Sequence, residues 1–491
     1  MLPSLAKPLK SEQAEEKSEC GLRPRKMEIH LPNVPVMKIF SYLDAFSLLQ
    51  AAQVNKSWNL VATSDSLWRK LCLRRWLCYD LSLDILGAQT WKEYFLRKTR
   101  QEHSMSRAKP EDFIYKEMSG DFGVQGTAYY LSGSGLTYNG QGKSTVCVVT
   151  SMTRLTTWDI REGVMTWVSP VQPTCIMRLA TLPELCLAIT VDMEATIKVW
   201  NCYDKDALAT NSMSSSCQTL KAVLTKDGPI VLAGDISGNL HTFRIPDLHL
   251  ISRVHVFEFA VNQLYCSPQR KWVYLNKKHP HVLPKVFLMN SLLRPSEYPT
   301  PVWTIINYTL SFKAFWTPRR EDRITLLSQR GPRKVSRFVT FDIELERTEN
   351  GVNAKARLVA SFRLPNDIET PEWMGVSDKD VIVCSSGTSL LVYNMNGFQL
   401  QRFQDHPAEI MRLLVDPLHV IVTYIDGSLE VYMWEESSPY LKKCYHLQNP
   451  RHMGRQSMAP KTLCDNVSIT RVVTKGPSCC FLMAYVLKVC S

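Results

Sequence analysis

CLAITVDMEATIKVWN, residues 186–201, reads as two short β-strands around a tight polar turn, closed by an aromatic side chain. Apolar residues dominate its first half, Asp192, Glu194 and Ala195 interrupt them, and Ile197, Val199 and Trp200 resume the pattern. The phrase returns as VCVVTSMTRLTTWDI (146–160), IVLAGDISGNLHTFRI (230–245), VIVCSSGTSLLVYNMNG (381–397) and VIVTYIDGSLEVYMW (420–434). The closing aromatics Trp158, Trp200 and Phe243 are 42 and 43 residues apart, and Phe287, Phe341, Tyr393 and Tyr432 continue the series with some longer gaps. Ile176-Met-Arg-Leu179 likewise recurs as Ile410-Met-Arg-Leu413. A unit of this size cannot bury its own faces, so copies must stack on one another.

The period and the strand–turn–strand phrase resemble the WD repeat, and Trp158-Asp159 retains the dipeptide itself. The resemblance implies a β-propeller whose blades each hold four strands. From residue 111 to residue 491, about 380 residues at about 42 to 50 per blade leave seven or eight blades open. The stretch from His406 through Ile410, Leu413, Asp416-Pro417 and Asp426-Gly427 is the fullest copy. In WD families such a His and turn Asp join a buried hydrogen-bond network. The closing aromatics are expected to pack between blades.

Upstream, the periodicity is helical. In LPNVPVMKIFSYLDAFSLLQAAQVNKSWNLVATSDSLWRKLC (31–72), Asn33 is a candidate cap with Pro35 in the first turn. Val36, Ile39, Phe40 and Leu43 then form one apolar stripe. Asp44 opens a second helix, a third carries Val54, Trp58, Val61 and Ala62, and Asp65-Ser66 opens a fourth. So small a unit barely encloses a core, and some apolar surface should stay open for a partner.

This stretch resembles an F-box: Leu31-Pro32, an apolar helix ending Ser-Tyr-Leu-Asp, Leu48-Leu49, Val54-x-Lys56-x-Trp58, then Leu67-Trp68. Together the two halves are similar to the F-box/WD-repeat proteins. That resemblance implies an α+β multidomain chain, a small all-α F-box followed by an all-β WD-repeat propeller. The expected divisions are a flexible tail (1–26), the F-box (27–75), a helical linker (76–110) and the propeller (111–491). It implies a substrate-recognition subunit of an SCF-type cullin–RING ubiquitin ligase, bound through the Skp adaptor to cullin and RING subunits. A non-degradative interaction scaffold is the alternative. By position, Leu31, Pro32, Ile39, Phe40, Leu43, Leu48, Leu49 and Val54 would contact the adaptor. Trp58 could also reach it, although Trp58 and Trp68 are expected mainly to hold the bundle together. Substrate contacts stay undefined: better-known relatives read phosphopeptides with channel arginines, but the matching positions here are Met177 and Met411, with Arg178 and Arg412 one place later.

Composition narrows the rest. An apolar fraction of 45% and charged fraction of 21% are those of a folded chain. The longest apolar run, Cys479 to Leu487, is too short to span a bilayer, and the N-terminus lacks a signal-like apolar stretch. An intracellular protein, cytoplasmic or nuclear, with its 15 cysteines reduced, is therefore expected. Residues 1–110 carry 18 Lys and Arg against 11 Asp and Glu, and the remainder 40 against 35. No dense basic stripe with interleaved aromatics stands out, so a nucleic-acid partner is not expected. NGQGKS (139–144) lacks the first glycine of a P-loop, no His/Cys cluster has metal-ligand spacing, and no nucleophile–base pairing marks an enzyme. Cofactors are not expected, and catalysis is left to partners.

Overall fold

The computed structural model describes residues 32–76, 89–122, 127–133, 136, 143–277, 279, 281–308, 311–330, 335–348, 351–435, 438–448, 462–474 and 480–488. The chain divides into two compact units, one ending at Leu67 and the other beginning at Trp68. The 1–26 tail, Leu31, and most of NGQGKS lie outside the described residues.

The first unit holds helices α1 (Asn33–Phe40), α2 (Ala45–Ala51) and α3 (Lys56–Ala62), and the start of α4 (Asp65–Trp76). Side chains close two of these helices at their N-termini. The Asp44 carboxylate accepts the Ser47 N–H at 2.7 Å, and the Asn55 amide oxygen accepts the Trp58 N–H at 2.8 Å. Helix α1 differs from expectation. It takes Asn33 as its first residue, extended Pro32 occupies the cap position, and no side chain satisfies that end. Val36, Phe40, Leu48, Ala51, Val61 and Ala62 are buried. Both α1 and α2 lean on α3, whose Asn59 side chain donates to the Ala52 carbonyl at 2.8 Å.

The second unit is an eight-bladed propeller preceded by helix α5 (Trp91–Arg107). Each blade is a four-stranded antiparallel sheet. Blades 1 to 7 span 128–168, 176–212, 217–255, 263–305, 311–363, 374–403 and 410–447. Trp158, Trp200, Phe243, Phe287, Phe341, Tyr393 and Tyr432 each sit on the third strand of one of these seven. In five of them the pairing to the outer strand slips by one residue at the aromatic, because the outer strand carries one extra, bulged residue there.

The eighth blade lies outside the aromatic series read from the sequence, and its pairing to the outer strand runs without a slip. It joins Thr462–Cys464, Ser468–Thr474 and Cys480–Leu487 to the N-terminal strand Phe113–Gly120, paired Phe113↔Leu487 through Gly120↔Cys480. The run noted above as too short for a membrane is thus the strand that closes the ring. Closure removes a sheet edge that would otherwise invite association.

Burial explains the strand composition. Second strands such as Leu187–Asp192 and His419–Tyr424 are buried on both faces and are mostly apolar, with polar residues such as Thr190 and Thr423 among them. Outer strands are more exposed, and polar residues enter some of them, as in Ala209–Ser212. Adjacent blades share their cores: Ile189, Val191, Ile197 and Val199 of blade 2 pack with Val231, Ala233 and Phe243 of blade 3. Cys147, Cys202, Cys217 and Cys384 are buried in such clusters, where burial pushes the Cys217 thiol up to about 12.

Helix α5 belongs to this unit. A capping box pairs Thr90 with Glu93, and buried Met105 packs with Phe113, Tyr445 and Tyr485, its carbonyl accepting the Tyr445 hydroxyl at 2.9 Å. Trp68 and Trp76 of α4 meet the Phe95 ring at 5.4 and 5.0 Å, and Arg75 pairs with Glu102 at 3.0 Å.

Candidate functional site

The helical unit buries one set of apolar side chains and presents another. Phe40 is 3% exposed and meets Trp58 edge to face, with ring centroids 5.3 Å apart. Leu48 is 1% exposed. Ile39, beside Phe40, is 52% exposed, and Val54, in the turn between α2 and α3, is 60% exposed. Pro32 is exposed, whereas Leu43, Leu49 and Trp58 are half-buried. The expected stripe on α1 is thus divided: Val36 and Phe40 face inward four residues apart, while Ile39 turns out.

Val34, Tyr42, Phe46 and Leu60 are also well exposed and were not singled out in the sequence. Their signal was an excess of apolar residues over what one inward face of each short helix can absorb. Isolated exposed apolar residues are ordinary, but six large ones on a unit this small are not.

In the propeller, the blade 7 network is in place. Ser428 Oγ lies 3.2 Å from His406 Nε2 and donates to Asp426 Oδ1 at 2.7 Å, while the His406 ring stacks on Tyr424 at 4.0 Å. Blade 3 holds a second network absent from the sequence reading. Buried Asp235 accepts the Asn239 N–H at 2.8 Å and lies 3.0 Å from His241 Nε2. Hydrogen bonds from His241 and Asn239 outweigh the upward pull of burial and hold the Asp235 carboxyl below its usual value.

The inner strands depart from simple alternation. Register shifts between Ile176 and Arg178, and between Ile410 and Arg412, make Met177 and Met411 the bulged residues. Arg178 donates through Nε to the Gln218 carbonyl at 2.8 Å, tying blade 2 to blade 3. Arg412 lies over the Trp373 ring at 4.3 Å. Among the described residues, no group of three His, Cys, Asp or Glu could hold a metal ion, and no helix is long and apolar enough to cross a membrane.

Residues 29–74 match the F-box-like family model. The chain is 53% identical to mouse F-box/WD repeat-containing protein 15 over 466 residues, covering 95% of this chain and 100% of that protein. It is 44% identical to human F-box/WD repeat-containing protein 12, covering 94% and 100% respectively. The chain belongs to the F-box/WD-repeat family. Among solved structures it is similar to BamB from Moraxella catarrhalis, at 12% identity and a TM-score of 0.47, over 70% of this chain and 92% of that one. As an F-box/WD-repeat protein it pairs the helical unit described here with an eight-bladed ring.

Proposed function

We propose that this chain is the substrate-recognition subunit of an SCF-type cullin–RING ubiquitin ligase, its F-box binding the Skp adaptor and its propeller binding the substrate. The observation that carries the reading is the apolar surface of the helical unit, with Ile39 and Val54 turned outward. Covering a large apolar side chain contributes about 1.5–3 kcal/mol, so a few suffice to hold an adaptor. Pro32, Ile39, Leu43, Leu49 and Val54 are assigned to contact and Leu31 by resemblance. Phe40, Leu48 and Trp58 hold the helices that present them.

The chain is non-catalytic in this reading. It raises the effective concentration of a substrate lysine near a charged conjugating enzyme, and transfer chemistry belongs to the partners. Its place is inside the cell, in cytoplasm or nucleus, where buried thiols stay reduced.

Reconstitution with purified Skp adaptor, cullin and RING subunits tests this. The wild-type chain should co-elute with the adaptor, and Ile39→Asp with Val54→Asp should not, at unchanged melting temperature. Full capture by the double variant would overturn the assignment. Adaptor capture with no ubiquitin transfer to any propeller-bound protein would instead establish the scaffold alternative.

A further inference from the structure

The closing blade buries a guanidinium inside the wall of the ring. Arg471 stands in the middle of the second strand of blade 8, Ser468–Thr474, and is 2% exposed. Second strands elsewhere treat charge differently. Asp192, Asp235, Arg323, Arg330 and His419 all stand at strand ends, and among the described residues no other second strand carries a charged side chain in its interior.

The partners of Arg471 are incomplete. Its Nη2 donates to the Gly427 carbonyl in a turn of blade 7, which ties the two blades together. Nε and Nη1 hold three of its five N–H groups, and both are buried without a hydrogen-bond partner. The Tyr485 hydroxyl is buried without a partner as well. Arg471 pairs with Met483, two residues from Tyr485 on the neighbouring strand, so both side chains stand on one face of the sheet. That face meets blade 7 through an apolar cluster of Ile421, Leu429 and Val431 with Ile469, Tyr485 and Leu487.

Nearby acids are engaged elsewhere. Asp426 accepts the Ser428 N–H at 2.9 Å and the Ser428 hydroxyl at 2.7 Å, and lies 3.5 Å from His406 Nε2. Glu117 accepts the Tyr115 hydroxyl at 3.1 Å. Among the described residues no ion pair joins either acid to Arg471. The flanking stretches 449–461 and 475–479 contain four Lys and Arg and no Asp or Glu. A guanidinium stays protonated, and a buried charge with unpaired donors is costly unless a counter-charge joins it.

We propose that the joint between blades 7 and 8 binds one small monovalent inorganic anion, of the size and charge of chloride, on Arg471 Nε and Nη1 and the Tyr485 hydroxyl. One buried cation balances one negative charge. A dianion would bring an uncompensated charge into the apolar wall. The site concerns how the ring is held shut, not what the ring recognises, and it stands apart from the adaptor and substrate readings. An anion that binds the closed ring and not the unfolded chain stabilises it by mass action.

Melting of the full chain is the test, with chloride replacing gluconate, an anion too bulky for the joint, at constant ionic strength. The melting temperature of wild type should rise with chloride and saturate, by about 2–4 °C. Arg471→Met, which keeps the apolar stem, should melt alike in both salts. Tyr485→Phe, which removes only the hydroxyl, should raise the chloride concentration of half effect about fivefold and keeps the test alive if Arg471→Met does not fold. In crystals grown with bromide, an anomalous-scattering peak should lie within hydrogen-bond distance of Arg471. Equal melting of wild type in the two salts, as water at the joint would give, would overturn the proposal. So would a chloride effect that survives Arg471→Met, an unshifted half effect in Tyr485→Phe, or no bromide peak at Arg471.

Discussion

The rings of Phe40 and Trp58 meet edge to face at 81°, with centroids 5.3 Å apart, while Ile39, the neighbour of Phe40, is half exposed. Two adjacent apolar residues on one helix thus do different jobs, one inside the unit and one on its surface.

Substitution should separate those jobs. Phe40→Ala removes a buried aromatic and should destabilise the helical unit by about 3–5 kcal/mol, read as lost amide protection across 33–62. Ile39→Ala should leave protection intact and reduce adaptor capture. Similar loss of protection in both variants would show that Ile39 is structural.

The Asp44 cap carries a pH signature. Hydrogen bonds from the Ser47 backbone and side chain hold its carboxyl below the usual value. The ionised cap therefore stabilises the unit at neutral pH, and this contribution is lost as pH falls through the lowered folded value. Asp44→Ala should cost about 1 kcal/mol at pH 7 in urea unfolding, with the difference from wild type vanishing in strong acid. A difference independent of pH would mean the charge is irrelevant.

Blades 6 and 7 approach closely at Gly375, where an added Cβ would overlap the Val415 side chain. Gly375→Ala should destabilise the propeller by about 1–3 kcal/mol. Val415→Ala in the same chain should recover part of that loss. Additive losses in the double variant would place the strain elsewhere.

Ring closure is testable in trans. Deleting residues 113–120 uncovers the Cys480–Leu487 strand edge and should lower the urea midpoint and promote association, seen by light scattering. A synthetic peptide of residues 113–120 should reverse both effects. Unchanged behaviour of the deletion would mean that the ring does not depend on this pairing.

Much of this architecture was legible because it is written in local pattern. Asp44 and Asp65 stand at the openings of helices, and all seven closing aromatics stand on third strands. The blade count was not legible. The eighth blade lacks an aromatic of the series, and its outer strand comes from the far end of the propeller sequence, 360 residues before Cys480. The apolar surface of the helical unit was half legible: the pattern marked Ile39, Phe40, Leu48 and Val54 together, and could not say which faced inward.

By itself the sequence determined where helices give way to strands, the repeat length of the blades and the presence of an apolar surplus in the first helices, because periodicity and capping act over a few residues. Only the tertiary structure decided the eighth blade, the outward turn of Ile39 and the stacking of Lys313 and Arg412 on Trp373. Those depend on which distant segments share a core or a ring, and burial is settled by the packed chain as a whole.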